Sequence, residues 1–182
     1  LVRENGKLVR AGNVTETCQY YAFFTGVANK ADYPALFETV LTSFGPLRSA
    51  DVYPNIPRSN AFIGNFLRLE TLDRYGEEET ILREFTPYFG RMSRRTGTLW
   101  ENNDPHASCC HGFASYICVL YAKIAFGYLG FDETYKTIIL RENFRLSGSA
   151  RFPVPGGFVS IEITNGTRAV SIPDGYELKI VK

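Results

Sequence analysis

"ASCCHGFASYICVLYAKIAFGYLG", residues 107–130, carries the pattern on which the architecture turns. Phe113, Ile117, Leu120 and Ile124 recur at helical spacing as one apolar stripe, and Ala114, Cys118, Tyr121 and Ala125 make a second. A helix apolar nearly all round is buried on both sides, so the sequence predicts an inner helix packed between neighbouring helices and a central cavity. Lys123 and several polar groups interrupt the run, which falls short of the roughly 20 apolar residues a bilayer span needs. No membrane segment is expected.

Upstream of this stretch the helical pattern repeats. "VTETCQYYAFFTGVAN" (14–29) places Tyr20, Phe23, Phe24 and Val27 at helical spacing behind Asn13 or Thr15 as cap. "DYPALFETVLTSFG" (32–45) reads as a helix capped by Asp32, opened by Pro34 and stopped by Gly45 and Pro46. A loop rich in Pro and Asn leads to "AFIGNFLRLETLDRYG" (61–76), and "EEETILREFTPYFGRM" (77–92) begins with acids at its positive end and kinks near Pro87. Helix, turn, helix, loop, helix, turn, helix describes αα-hairpins. From about Lys136 the pattern changes: "KTIILREN" and "GGFVSIEITNGTRAVSIPDGYELKIVK" alternate as antiparallel strands do, with Asn-Gly and Asp-Gly turn signals. Residues 13 to about 130 are therefore expected to be predominantly helical, within a helical-hairpin domain of residues 1–135, and residues 136–182 to form a small antiparallel β-sandwich. Phe158 and Tyr176 are the only aromatics that could make this tail a carbohydrate-binding face, and a packing role suits it better.

Composition excludes several functions. The 182 residues are 45% hydrophobic, enough to fill a core, and 20 basic against 19 acidic side chains leave a formal charge of +1. No run of Lys or Arg exceeds two residues, so phosphate backbones have no basic track and nucleic acid is not an expected partner. The first residues lack a charged n-region followed by an apolar h-region, so neither a signal nor a transit peptide is expected.

Chemistry concentrates in "GTLWENNDPHASCCHG" (97–112). Three readings compete: a metal site built from Cys109, Cys110, His106 and His111, a thiol nucleophile paired with histidine, or a carboxylate site centred on Glu101. Cys18, Cys109, Cys110 and Cys118 lack the short paired spacings of structural zinc sites, and vicinal cysteines on a helix cannot both face one ion. No metal and no cofactor are expected, and buried free thiols are. Asp104 and His106 read as loop structure around Pro105. Glu16 could face the cavity or serve the helix dipole.

At this point the residues carry a resemblance. "GTLWENNDPHASCCHGFASYICVLYAKIAFGYLGF" (97–131) resembles the Thr-x-Trp-Glu, Ser-x-x-His segment and inner helix of the bacterial α-L-rhamnosidases, six-hairpin glycosidases of glycoside hydrolase family 78. "TETCQYYAFFTGVA" (15–28) is similar to an earlier inner helix of that toroid, and the resemblance spans about residues 10–135. It implies a fold that is mainly α with a β tail: the C-terminal part of an (α/α)6 toroid followed by a β-sandwich. It implies inverting hydrolysis of terminal α-L-rhamnosides, Glu101 as the general base, and His111 as a sugar contact. Trp100, by its own chemistry, offers a flat apolar face for a sugar ring or for shielding the site. The implied partners are a rhamnose-containing glycan or glycoside and the remainder of the same enzyme upstream. The family's acid-bearing motif has no counterpart here, about five helices stand where the toroid needs twelve, and Cys110 occupies the position usually held by Asn. A helical scaffold or sugar-binding protein without chemistry, and a six-hairpin glycosidase for another sugar, are the competing readings.

Overall fold

The computed structural model describes residues 2–5, 7–9, 14–104 and 106–182, so Asn13 and Pro105 lie outside the described residues. The chain divides into two compact units, Leu1–Ser115 and Tyr116–Lys182. The first opens with a short antiparallel pair, β1 (Val2–Glu4) and β2 (Lys7–Val9), which helical periodicity gives no reason to expect.

Helix α1 (Glu16–Phe24) starts at Thr15, whose side chain accepts a hydrogen bond from the Cys18 N–H at 3.1 Å and so satisfies one of the donors a helix start leaves open. Helix α2 (Pro34–Glu38) begins with proline, whose missing N–H costs nothing there, and widens into a π turn over Thr39–Ser43. Asp32 is not its cap: Tyr33 occupies that position, while Asp32 Oδ2 accepts from Asn29 instead. Helix α3 spans Ile63–Arg74. Helix α4 (Glu78–Glu84) passes through a second π turn, Phe85–Gly90, into α5 (Arg91–Thr96). Pro87 sits inside that turn and has no N–H to give the helical ladder, so the irregularity falls where the sequence placed it.

Tyr20, Phe23, Phe37, Val40, Phe44 and Leu67 form one apolar cluster, and Phe37 meets Phe23 and Tyr75 edge-on at centroid distances of 5.5 and 4.8 Å. Through this cluster runs a charged element. Arg68 is wholly buried and grips Glu84 with both Nη1 and Nη2, while its Nε and Nη2 donate to the carbonyls of Val40 and Leu41 at 3.2 and 3.3 Å. Those carbonyls lie near the C-terminal end of the α2 segment, where acceptors have no helical partner and positive charge is favoured. Gly45 makes room for the guanidinium: at its φ of +106° a Cβ would stand 2.7 Å from Arg68 Cζ.

In the second unit, α6 spans Tyr116–Phe126, preceded by a 3₁₀ turn over Gly112–Ser115. Two expectations are corrected here. The helix read from Ala107 begins nine residues later, because residues 108–111 spend backbone groups on the 99–101 segment instead of on a helical ladder. And α6 is not enclosed on every side: Ile117, Leu120, Ile124 and Ala125 are buried, whereas Val119 is 61% exposed. Gly127 ends the helix in a left-handed conformation, φ +71°, where a Cβ would also meet the Arg141 carbonyl at 2.8 Å, and the chain turns into β3 (Tyr128–Asp132), residues whose first half had read as helix.

Strands β3, β4 (Thr137–Arg141) and β8 (Glu177–Val181) make one sheet, and β5 (Gly148–Val154), β6 (Gly157–Thr164) and β7 (Thr167–Ser171) another. Ile138 and Leu140 of the first sheet share a core with Val154, Val159, Ile161 and Ile163 of the second, so alternate residues of β4 and β6 point inward as a half-buried strand requires. Asn165 and Gly166 form the β6–β7 hairpin turn that the Asn-Gly signal announces. The expectation of purely antiparallel strands is corrected: β8 pairs with β4 in parallel, from Thr137↔Glu177 to Arg141↔Val181. The Asp-Gly turn at 174–175 does not close a hairpin. It carries the chain back to the first sheet, where the Glu177 N–H bonds the Lys136 carbonyl at 2.8 Å and starts β8 beside the start of β4.

Among the described residues no helix is long and apolar enough to cross a membrane.

Candidate functional site

The loop bearing Glu101 is held by three backbone bonds. Glu101 N–H donates to the Ser108 carbonyl at 2.9 Å, and His111 N–H donates to the Leu99 carbonyl at 2.8 Å. Together they draw residues 99–101 and 108–111 into a two-rung ladder, so two residues ten apart in sequence are fastened to one frame. The third bond, from Ala61 N–H to the Glu101 carbonyl at 2.9 Å, ties that frame to the chain just ahead of α3.

The same approach to α3 holds the imidazole. The Phe62 ring stacks on His111 with centroids 4.4 Å apart and planes 28° apart, and Phe113 closes on Phe62 edge-on at 5.8 Å. Asn60 fixes the backbone at this point: its Oδ1 accepts from Gly64 N–H, and its carbonyl accepts from Asn65 Nδ2, each at 2.8 Å. His111 Nδ1 is buried without a hydrogen-bond partner among the described residues. The Glu101 carboxylate is half-buried and likewise has no hydrogen-bond or ion-pair partner there. A carboxylate and an imidazole on one frame, neither committed to another group, can accept a proton and meet a hydroxyl.

Trp100 is fully buried, donates from Nε1 to Thr96 Oγ1 at 2.8 Å, and has the guanidinium groups of Arg91 and Arg95 at 5.7 and 5.6 Å from its ring. Asp104 and His106 form a local turn, in which Asp104 Oδ1 accepts from His106 N–H at 2.9 Å and lies 2.5 Å from Nδ1. The His106 backbone N–H, and then its ring, hold the Asp104 carboxyl below its usual value. All four cysteines are free, but the expectation that they are buried is corrected: Cys18, Cys110 and Cys118 are exposed and Cys109 is half-buried, because residues 108–111 lie in a surface loop and not on an enclosed helix. No cluster of three His, Cys, Asp or Glu side chains suited to a metal ion occurs among the described residues.

Sequence reasoning missed Asn60, Ala61 and Phe62 as supports of the site. The one local signal was Asn60 ahead of a helical pattern, a residue type that favours helix starts. It also left Glu16 open. That carboxylate is 1% exposed, pairs with Arg48 at 3.0 Å, and accepts from Ser59 N–H at 3.0 Å and from the Tyr20 hydroxyl at 3.3 Å, so it joins α1 to the long loop.

These features define a helical unit followed by a small two-sheet β unit, with Glu101 and His111 held by backbone bonds on one loop of the helical part. The structure is similar to that of the GH78 family rhamnosidase of Bacillus sp. GL1, with a TM-score of 0.64 and 18% sequence identity, over 94% of this chain and 20% of that one. The likeness establishes the fold, and the chain spans about one fifth of the length of the solved rhamnosidase. No family model matches the sequence, and no curated protein matches it.

Proposed function

We propose that the chain is the C-terminal part of an inverting glycoside hydrolase acting on terminal α-L-rhamnosides, with Glu101 as its general base. The observation that carries the reading is the two-rung backbone ladder that fastens Glu101 and His111 to one frame. The likeness to a rhamnosidase of the same fold supports it. The helices up to α6 contribute hairpins to an (α/α)6 toroid, and the two sheets from β3 onward, not from residue 136, supply the β-sandwich that follows it.

Inverting hydrolysis needs one carboxylic acid to protonate the leaving oxygen and one carboxylate, roughly 6.5–9.5 Å away, to deprotonate the attacking water. Glu101 is the second of these. Its carboxylate takes the proton as water adds to the anomeric carbon from the face opposite the leaving group. His111 bonds a sugar hydroxyl, its ring plane set by Phe62. Trp100 backs the loop as a shield and not as a sugar platform, in keeping with its full burial beside two guanidinium groups. The proton donor comes from the remainder of the enzyme upstream, which also completes the toroid wall.

In the complete enzyme, Glu101→Gln keeps the fold and substrate binding while kcat on an aryl α-L-rhamnoside falls by about 10² or more, the scale of a lost general base. Equal rates for the two proteins would make Glu101 structural. The 182-residue chain by itself is expected to show no hydrolysis, and activity there would place the acid within it.

A further inference from the structure

A cavity of about 400 Å³ lies in the helical unit, between the π turn after α2, the loop around Arg48 and the end of α4. None of the residues of the Glu101 frame lines it. Its size is that of a small-molecule site, and its wall is mixed: Phe44 and Leu47 give apolar ground, Ser43 a hydroxyl, and Arg48, Arg83 and Glu84 the charges.

The charges do not cancel. Both Glu84 oxygens are held by Arg68, and burial pushes the Glu84 carboxyl upward, so this acid offers little repulsion to an incoming anion. Arg48, 4% exposed, pairs with Glu16 and donates from Nη2 to the Ile56 carbonyl at 2.8 Å, but its buried Nε has no hydrogen-bond partner among the described residues. Arg83 donates only to Thr80 Oγ1, at 3.3 Å, and makes no ion pair among the described residues. Arg48 is matched by Glu16 and Glu84 by Arg68, so Arg83 is the guanidinium of this wall that has no ion pair among the described residues, although its charge is felt by the neighbouring Glu84. Planar guanidinium groups match the two-oxygen geometry of carboxylates and phosphates. The Ser49 hydroxyl adds nothing, because it is already bonded to Asp51.

We infer that this cavity binds a small hydroxylated oxyanion, a sugar acid or sugar phosphate, with Arg83 as the charge partner and the Ser43 hydroxyl as a second contact. The site is independent of Glu101 and of the hydrolase reading.

Titration calorimetry of the chain with D-glucuronate, D-glucose 6-phosphate, D-glucose and inorganic phosphate tests it. One or both sugar anions should saturate, and whichever does identifies the source of the oxyanion. Glucose should bind at least about tenfold more weakly, as should Arg83→Gln with the best ligand, the usual cost of losing a charged hydrogen bond. Arg83 is exposed, so this variant should fold as the parent does, and Ser43→Ala gives a second, charge-neutral readout with a weaker loss. The inference is overturned if neither sugar anion saturates, if glucose binds as well as they do, if inorganic phosphate alone matches the sugar phosphate, or if Arg83→Gln leaves affinity unchanged.

Discussion

The two units of the molecule bury different things. Every buried polar or charged side chain among the described residues lies between Glu16 and Glu84, in the helical unit, whereas the buried residues of the core between the two sheets are Ile, Leu and Val, with aromatic rings packed at their edge. The helical unit therefore depends on matched partners, and the β unit on filled volume. A buried pair costs desolvation that only its geometry offsets, and removing one partner strands a charge. An aliphatic core loses stability in proportion to the volume removed.

The largest effect that tests this contrast is at Arg68. Arg68→Met leaves Glu84 buried and unpaired and should destabilise the chain by about 3–5 kcal/mol in urea unfolding. Adding Glu84→Leu should restore much of the loss, since a well-packed apolar pair of similar volume can replace a buried ion pair. In the β unit, Ile161→Val removes one methyl and should cost about 1 kcal/mol. If Arg68→Met costs no more than Ile161→Val, the contrast fails.

The smallest effect is in pH. Burial raises the Glu84 carboxyl above its ordinary value of 4.5, against the opposing pull of Arg68. A carboxyl whose folded value is the higher one binds more protons in the native state, so its contribution to stability is fully present below the unfolded value and fades as pH rises through the folded one. Stability measured from about pH 4.5 upward should carry this decline, and Glu84→Gln should remove it. An unchanged profile in the variant would show that the pull of Arg68 cancels the effect of burial, and a decline that steepens in the variant would show that Arg68 outweighs it.

The same contrast explains what was legible in the sequence. Alternation in β4 and β6 and the Asn-Gly turn are local signals, and Pro87 marked its irregularity because a missing N–H is a property of one residue. The buried pairs were not legible: Arg68 and Glu84 are sixteen residues apart, and each alone reads as a solvated helix charge. The start of α6 was misread because the stripe from Phe113 onward continues a helical period whose upstream residues are claimed by backbone bonds to Leu99 and Glu101. The parallel entry of β8 depends on where the chain returns, which no turn dipeptide encodes. At the candidate site Glu101, Trp100 and His111 stood out by residue type, whereas Phe62 and Ala61 act through a stack and a backbone N–H that become visible only once the chain is folded.

The parallel pairing of β8 with β4 also sets an order in time. The β5–β6–β7 meander joins neighbours in sequence through tight turns and can assemble as soon as it is made. The other sheet must hold β4 without its parallel neighbour while some forty further residues are synthesised, because Thr137 waits for Glu177. Through that interval the edge of β4 presents unpaired backbone groups to any extended segment nearby, the kind of opening through which nascent chains misassociate.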